Sequence, residues 1–331
     1  MRNDKQGKLF RRTMEEKQIF EKENLSPLAC MSSESEGREV QEQEDLYLTC
    51  FEVDRERILS SAGFRRLNGK TQVFSLPKTA DVSNRMIHTY EVEQLATYIA
   101  SNLGLNIPLV QAIAFGHDVG HPPGGHAGER VLTELGGVPF KHQENSVKVL
   151  QSEGLNLAYE VIDGILKHSC GSKKISDSDL PETMEGLLVA YVDKIAYTFN
   201  DIEDAKKAGL IKESSLPDSV KLRLGTSARK RIITLREALI DYSLNKSEIG
   251  LSDEMESVFE ETRDFMFKHV YKHIMVSDEE RKFGECLRWL YGKLPTIETF
   301  YGKDPLEVLA YMTDTEALDL ISEYMMPDSL V

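Results

Sequence analysis

Apolar residues recur at steps of three and four between residues 84 and 103. The stripe consists of Val92, Leu95, Ile99 and Leu103. This spacing predicts one buried face of an α-helix. The following Asn102–Pro108 segment ends that helix, and Pro108 suits the first turn of a second helix. One side of the second helix carries Val110, Ile113, Ala114 and His117.

The helical period continues through most of the remaining chain. Further helices are predicted over residues 144–153, 157–168 and 185–208, and over about 228–325 with short polar loops between them. Alternation typical of a β-strand occurs only around Lys70–Leu76. No internal repeat and no glycine-rich phosphate loop is visible. The predicted fold is mainly α.

Residues 1–45 differ from the rest because they are polar and rich in charge, ending in MSSESEGREVQEQED. Two interpretations remain open for them. They form an extended arm that becomes ordered against another part of an assembly, or they are a flexible terminus.

The composition is that of a globular protein. The chain has 331 residues, of which 40 % are hydrophobic, and it is long enough to bury a core without metal or disulfide staples. Length alone suggests about two domains. The four cysteines are scattered and form no CxxC pair, so we expect reduced thiols and a cytoplasmic location. They are Cys30, Cys50, Cys170 and Cys286.

Charge and hydropathy exclude several classes of protein. No apolar run approaches the ~18–20 residues that span a bilayer, and the start MRNDKQGKLFRR has no apolar segment typical of a secretory signal. Lys and Arg total 40 against 55 Asp and Glu, a net charge of −15, which argues against broad binding to duplex nucleic acid. A small phosphorylated ligand remains compatible with this charge if a basic pocket or a metal ion receives it.

One segment is locally basic. The segment from Lys221 to Arg236 contains six basic residues and no acidic residue. Such a run is usually a solvated helix face. The alternative is a patch for phosphate, for an effector nucleotide or for the acidic surface of a neighbouring subunit.

Histidines cluster around the end of the second helix. Four of the eight, His117, His121, His126 and His142, lie within 26 residues, flanked by His88 and His168. His88 and His117 share the apolar faces of their helices, so both point inward and need partners. Asp118 follows His117, and a buried aspartate is costly unless it is paired or bound to a cation.

Two further segments bring chemistry to the same place. Glycines and prolines after Asp118 break the helix, so His121, His126 and Glu129 are expected on a loop around one point. A later helix presents Asp193, Tyr197 and Asp201 at steps of four. Two imidazoles and two carboxylates suit a divalent metal with open positions. The alternative from the residues alone is a buried polar network without metal.

The residues His88, His117-Asp118 and Asp193 resemble the H…HD…D signature of the HD-domain phosphohydrolases. Longer stretches resemble the bacterial dGTP triphosphohydrolase-like branch, related to the vertebrate SAM-and-HD-domain dNTPase. These stretches are FRRLNGKTQVF (64–74), NRMIHTYEVEQLATYIASNLGLN (84–106), AIAFGHDVGHPPGGHAGE (112–129) and AYVDKIAYTFNDIEDA (190–205). The resemblance implies a helical HD-domain core over residues 46–208. It leaves 1–45 as the polar arm and 209–331 as a helical region that packs on the core.

The resemblance implies metal-dependent hydrolysis of a deoxynucleoside triphosphate to deoxynucleoside and intact triphosphate. It also implies that this reaction controls dNTP levels. It implies a divalent metal, with Mg²⁺ or Mn²⁺ preferred and Fe, Co, Ni or Zn as alternatives. The implied metal ligands are His88, His117, Asp118 and Asp193. The implied catalytic group comprises His126, Glu129, His142 and His121. The implied substrate contacts are Gln72, Arg85, Lys194, Tyr197 and Asp201.

His126 matches the catalytic histidine of that family and Glu129 matches the acid that orients it, whereas His142 resembles a histidine that touches the phosphates. Arg85 and Lys194 match phosphate contacts, and Gln72 matches a contact to the sugar. Tyr197 matches a tyrosine that packs on the deoxyribose, and Asp201 matches an aspartate that binds its 3′-hydroxyl. The chain departs from the family at Gly124, where an aromatic residue is usual, so we expect a more mobile loop before His126.

Other functions remain as alternatives. One is another HD phosphohydrolase, such as a nucleotidase, a phosphodiesterase or an alarmone hydrolase. Another is a nucleotide sensor without turnover. Relatives also imply a homo-oligomer, a tetramer or hexamer, with a dNTP effector at the subunit contacts. Neither the preferred base nor the native metal follows from the sequence.

Overall fold

A computed structural model describes residues 10–73, 83–169 and 179–325. Within these ranges the chain is built from helices and forms no β-strand, which confirms the mainly α prediction. In place of the strand-like run predicted around 70–76, Thr71 makes an isolated bridge to Asn84, and residues 74–76 lie outside the described ranges. No helix in the described part is long and apolar enough to cross a membrane.

The described residues contain sixteen α-helices. They are α1 (Met14–Asn24), α2 (Cys50–Ser60), α3 (Ala62–Arg66), α4 (Arg85–Leu103), α5 (Ile107–Gly116), α6 (His126–Gly136), α7 (His142–Ser152), α8 (Tyr159–Lys167), α9 (Met184–Lys207), α10 (Asp218–Leu224), α11 (Ala228–Lys246), α12 (Asp253–Met266), α13 (Lys272–Met275), α14 (Asp278–Lys293), α15 (Pro305–Tyr311) and α16 (Asp314–Met325). A π-helical turn, Phe267–Tyr271, joins α12 to α13. The predicted helices over 84–103, 144–153, 157–168 and 185–208 correspond to α4, α7, α8 and α9.

The ends of α4 and α5 follow from capping residues. The side chain of Asn84 accepts the Ile87 N–H at the start of α4, and Gly104 ends that helix in the left-handed region at φ 67°. The side chain of Asn106 caps α5, whose first turn contains Pro108 as predicted. These caps place His88 and His117 at defined ends of two neighbouring helices.

The apolar side chains form two clusters. The larger core includes α2, α4, α5, α8 and α9, with fully buried residues such as Leu109, Ile113 and Val192. The smaller core joins α6 to α14, α15 and α16 around Leu132, Leu287 and Leu290. Helix α6 therefore belongs to a different core from α4, α5 and α9.

Two glycines allow α5 and α8 to approach closely. A Cβ on Gly116 would lie 2.4 Å from Cδ1 of Ile165, and a Cβ on Gly164 would lie 2.5 Å from Cδ1 of Ile113. Each isoleucine therefore fills the space left by a glycine on the other helix. This packing fixes the end of α5, where His117 lies, against α8.

The described part of the N-terminal segment packs on its own chain. Residues 14–24 form α1, and Ala29 and Met31 are buried in the larger core. The buried Glu185 accepts hydrogen bonds from the Cys30 N–H, which ties this segment to α9. The described part of this segment is therefore partly helical and packs on the larger core, which is neither an extended arm nor a flexible terminus.

Two of the six basic residues around α11 pair with acids from other parts of the chain. Arg231 is fully buried and forms ion pairs with Glu213 and Glu203. Arg223 pairs with Glu254. The interpretation of a solvated face is wrong for Arg231, because acids outside the segment neutralise it in the interior.

Candidate active site

Three helices bring the four predicted metal ligands together. His88 lies in the first turn of α4, His117 and Asp118 directly follow α5, and Asp193 lies midway along α9. His88 Nε2 is 2.9 Å from Asp193 Oδ1, and His117 Nε2 is 3.5 Å from Asp118 Oδ2 and 3.8 Å from Asp193 Oδ1. Both histidines and Asp118 are buried, so these atoms face one another away from bulk solvent. We call these four residues the ligand cluster.

The ligand cluster has the features of a metal site. His117 Nδ1 donates to the carbonyl of Ala114 at 2.6 Å, which turns Nε2 toward the carboxylates. Among the described residues, this buried Nε2 has no hydrogen-bond partner. An unpartnered imidazole nitrogen beside two carboxylates is costly unless a cation completes it. Imidazole nitrogen and carboxylate oxygen together suit divalent metals, so the residues fit the metal that the sequence implies.

Both carboxylates of the ligand cluster are stabilised in the charged form. Burial opposes ionisation of Asp118, but the neighbouring Arg85, His117 and His121 outweigh it and hold the pKa well below its usual value. For Asp193, burial is likewise outweighed, chiefly by His88, and its pKa falls to about 2. The cluster therefore offers ionised oxygen ligands at neutral pH.

Arg85 is buried between the ligand cluster and the segment before α4. Its Nη1 donates to Asp118 Oδ2 at 2.7 Å, and its Nη2 donates to the carbonyl of Gln72 at 3.2 Å. The other oxygen of Asp118 lies 3.1 Å from His121 Nε2. Arg85, which the resemblance implies as a phosphate contact, is thus already bound to Asp118 of the ligand cluster.

Glu129 joins two histidines at the edge of the cluster. Its Oε2 accepts from His126 Nδ1 at 2.7 Å, and its Oε1 accepts from His142 Nδ1 at 2.8 Å and from the His142 N–H at 3.1 Å. Despite burial, these hydrogen bonds lower the pKa of Glu129 far below its usual value. The His126 side chain is 66 % exposed. It is therefore oriented by a half-buried carboxylate while its own ring is open to the cavity.

The expectation that His126 and Glu129 lie on a loop is wrong. Both lie in the first turn of α6, at positions i and i+3. Gly124 and Gly125 adopt φ values of 73° and 54°, which lets the chain reverse and start a helix at His126.

The turn before His126 is also held in place. The Gly124 N–H donates to Asp314 Oδ1 at 2.9 Å. A Cβ on Gly124 would lie 2.2 Å from Cε1 of Phe283, so this ring fills the space beside the glycine. These contacts oppose the mobility expected for the loop.

A cavity of about 900 Å³ opens over these groups. Twelve of the thirteen predicted site residues line it, and His117 lies behind them with no exposed surface. The lining residues among those predicted are Gln72, Arg85, His88, Asp118, His121, His126, Glu129, His142, Asp193, Lys194, Tyr197 and Asp201. The volume falls in the range of small-molecule sites.

Comparison with known proteins identifies the family. The HD domain model matches residues 85–198, which include the whole ligand cluster. A deoxyguanosinetriphosphate triphosphohydrolase-like protein from Caldanaerobacter subterraneus subsp. tengcongensis is 39 % identical over 321 residues, covering 92 % of this chain and 93 % of that protein. The chain belongs to the deoxyguanosinetriphosphate triphosphohydrolase-like family, whose members contain an HD domain.

A second family member, from Clostridium tetani, is 42 % identical over 273 residues, covering 80 % of this chain and 78 % of that protein. A third, from Geobacter metallireducens, is 32 % identical over 363 residues, covering 90 % of this chain and 94 % of that protein. Among solved structures, a hypothetical protein from Aquifex aeolicus aligns with a TM-score of 0.47 and 19 % identity, over 81 % of this chain and 67 % of that one.

This family member also lines the cavity with Arg263 and Tyr271, which the sequence did not single out. The Tyr271 hydroxyl donates to Asp201 Oδ2 at 2.6 Å, and Arg263 hydrogen-bonds to Tyr197. Burial raises the pKa of Asp201 to about 7 and that of Tyr197 to about 12. Tyr271 ends the π-helical turn, a local feature that often marks functional sites. No short motif links these residues to the histidines, since they come from a distant helix.

His168 is a further histidine of the site. Its Nδ1 donates to the carbonyl of Ile165 at 2.7 Å, so Nε2 is free to accept and lies 3.3 Å from His142 Nε2. Burial and the nearby His117 lower the pKa of His168 to about 3, so its ring is neutral at pH 7. Both ring nitrogens of His142 therefore face acceptors. The position of His168 beside the histidine-rich segment is the sequence signal for it.

Lys70 supports the segment that follows α5. It is buried, and its Nζ donates to the carbonyls of Val119, at 3.3 Å, and of His121. Desolvation lowers the pKa of Lys70 to about 7. A lysine in a polar stretch gives no sequence signal of such a role.

Proposed function

We propose that this chain hydrolyses deoxynucleoside triphosphates to a deoxynucleoside and intact inorganic triphosphate. The observation that carries the proposal is the position of the His126–Glu129 pair, which faces the same cavity as the ligand cluster. Relatives of similar length named as deoxyguanosinetriphosphate triphosphohydrolase-like support the substrate class.

The ligand cluster, His88, His117, Asp118 and Asp193, would hold a divalent metal, with Mg²⁺ or Mn²⁺ as the first candidates and Fe, Co, Ni or Zn as the others. When bound, such an ion offsets phosphate charge and lowers the pKa of water. The chain supplies the fixed orientation: the Ala114 carbonyl holds His117, and Arg85 holds Asp118.

His126 is proposed as the general acid. Water attacks the α-phosphorus and loses a proton to solvent, the bond from phosphorus to the 5′ oxygen breaks, and His126 gives its Nε2 proton to that leaving oxygen. Glu129 accepts from Nδ1 and so leaves Nε2 to face the substrate. The second candidate for His126 is direct attack on phosphorus, and trapping of a phosphohistidine would support it.

The remaining cavity residues divide between phosphates and sugar. Arg85, Lys194, His142 and His121 are proposed to contact the triphosphate, whose charge basic groups offset. Gln72, Tyr197 and Asp201 are proposed to contact the deoxyribose. A tyrosine beneath C2′ would reject a ribonucleotide, because the added hydroxyl would clash or stay unpaired.

The test is product analysis with each dNTP and with GTP across a panel of divalent metals. We expect intact triphosphate and deoxynucleoside in equal amounts, with at least ~100-fold loss of rate in His126→Ala and Asp193→Ala. His273→Ala is the matched control, because His273 is exposed and does not line the cavity. Release of monophosphate with pyrophosphate would contradict the proposal and favour another HD hydrolase. Absence of turnover even with dNTP mixtures would favour a sensor.

Three features stay predictions from the sequence. Two of them, assembly as a homo-oligomer and a dNTP effector at the subunit contacts, come from the relatives, and the third, a cytoplasmic location, comes from the scattered cysteines.

A further inference from the structure

One carboxylate connects the end of the described chain to two segments that border the cavity. Asp314 is buried at the first position of α16. Its Oδ1 accepts from the Gly124 N–H at 2.9 Å, and its Oδ2 accepts from the Thr71 N–H at 3.1 Å and from the Thr71 hydroxyl. Three donors from two distant segments therefore converge on a single side chain.

Both segments lead directly to cavity residues. Gly124 lies two positions before His126, and Thr71 lies one position before Gln72. The turn directly before α6 consists of Gly124 and Gly125, both with positive φ, and glycine backbone has wide conformational freedom. Contacts from elsewhere must therefore set the conformation of this turn.

Capping of α16 does not require Asp314. The Thr313 hydroxyl accepts from the Glu316 N–H at 3.2 Å, and Glu316 Oε2 accepts from the Thr313 N–H at 2.9 Å. This reciprocal pair is a capping box. The carboxylate of Asp314 is thus left entirely to bonds with other segments.

Contacts other than those of Asp314 also hold α16 against the rest of the chain. Glu316 forms an ion pair with Arg66, and Arg66 Nε donates to the carbonyl of Tyr311 at 2.9 Å. A loss of Glu316 therefore weakens the same helix without touching the turn before His126. Glu316 provides a matched control for a purely structural effect.

We propose that Asp314 is a positioning residue of the hydrolytic site. It holds the Gly124–Gly125 turn so that His126 faces the ligand cluster, and it holds Thr71 so that Gln72 borders the cavity. This inference rests on the proposed function, because it concerns the placement of the proposed general acid.

The experiment compares Asp314→Ala, Asp314→Asn and Glu316→Ala by kcat, KM and melting temperature with a dNTP. We expect Asp314→Ala to lower kcat by about 10- to 100-fold, the range seen when residues that orient metal ligands are removed. Glu316→Ala should keep kcat within about two-fold although its melting temperature also falls. Asp314→Asn should be intermediate, because its single amide oxygen can accept from only one of the two segments.

Thr71→Val separates the effect of the Thr71 bond to Asp314 from that of the Gly124 bond. It removes the hydroxyl donor but leaves the Gly124 bond, so we expect a higher KM and a smaller loss of kcat than in Asp314→Ala. Amide hydrogen exchange gives a readout independent of turnover. Residues 124–126 should exchange faster in Asp314→Ala than in Glu316→Ala.

The outcomes are distinct. Equal losses of kcat in Asp314→Ala and Glu316→Ala, with equal exchange at 124–126, would overturn the positioning role. If Asp314→Ala fails to fold, the same comparison is made with Asp314→Asn and Thr71→Val. A wild-type chain that releases no triphosphate from any dNTP would instead overturn the proposed function, and this inference with it.

Discussion

At the scale of single residues, Glu185 couples stability to pH. This fully buried carboxylate accepts from the Asn106 N–H at 2.8 Å and from the Cys30 N–H at 3.2 Å. Burial nevertheless raises its pKa from 4.5 to about 7. Between these values the folded chain holds a proton that the unfolded chain has released, so the contribution of Glu185 to stability is full below pH 4.5 and is lost as pH rises through about 7.

We therefore expect Glu185→Gln to gain stability relative to the wild type as pH rises from 4.5 to 7.5. The pKa difference corresponds to about 3 kcal/mol. Urea unfolding of both proteins across this pH range measures the difference. Glu182→Gln is the control, because that carboxylate lies at the surface on the same segment. A difference that stays constant with pH would show that Glu185 is ionised in the folded chain.

The ligand cluster could be predicted because its residues stand at helical spacing beside glycines and apolar stripes. Lys70 and Asp314 could not. Their roles arise from hydrogen bonds to the carbonyl of His121 and the N–H of Gly124, across 51 and 190 positions. Backbone partners at such separations leave no pattern in the side chains of either segment.

At the scale of elements, the contact between α5 and α8 depends on Gly116 and Gly164. Gly164→Ala would force the buried Ile113 to shift, so we expect a loss of about 1–3 kcal/mol in the free energy of unfolding. Gly292→Ala, in α14, is the control. Its Cβ meets nothing within 4 Å, and it should gain about 0.5–1 kcal/mol from the helix preference of alanine. Equal stability of the two variants by urea unfolding would contradict this packing.

Helix boundaries were predicted well where the sequence contains typical capping residues. The helix predicted over 84–103 is Arg85–Leu103, between Asn84 and Gly104. The start of α6 was missed, because Gly125 occupies the N-cap and no capping side chain marks the position. The expected loop there followed from glycines and prolines, which permit a helix to begin as readily as they end one.

At the scale of the whole molecule, the site lies between two cores. The ligand cluster belongs to helices of the larger core, whereas α6, with His126, packs on the smaller core. Two hydrogen-bonded pairs connect the two sides: Glu129 of α6 with His142 of α7, and Asp314 of α16 with Thr71. The relative position of the cores therefore sets the distance between the proposed acid and the ligand cluster.

We expect Leu290→Ala, in the smaller core, to lose hydrolysis at a lower temperature than it loses bound metal. Truncating a buried leucine costs about 2–5 kcal/mol, here on the side that carries His126. Leu188→Ala, in the larger core, should lose both together. Parallel measurements of activity and of metal retained after desalting make the comparison. Simultaneous loss in Leu290→Ala would show that the two cores unfold as one unit.

The π-helical turn Phe267–Tyr271 contains one residue more than a regular helix would need. A chain one residue shorter there would continue as an α-helix and turn everything after the deletion by about 100°. Tyr271 would then lose Asp201, and its neighbour would face the cavity instead. Within the family, a single-residue gap in an alignment at this point would therefore mark a change in the part of the cavity wall beside Asp201, even where every histidine is retained.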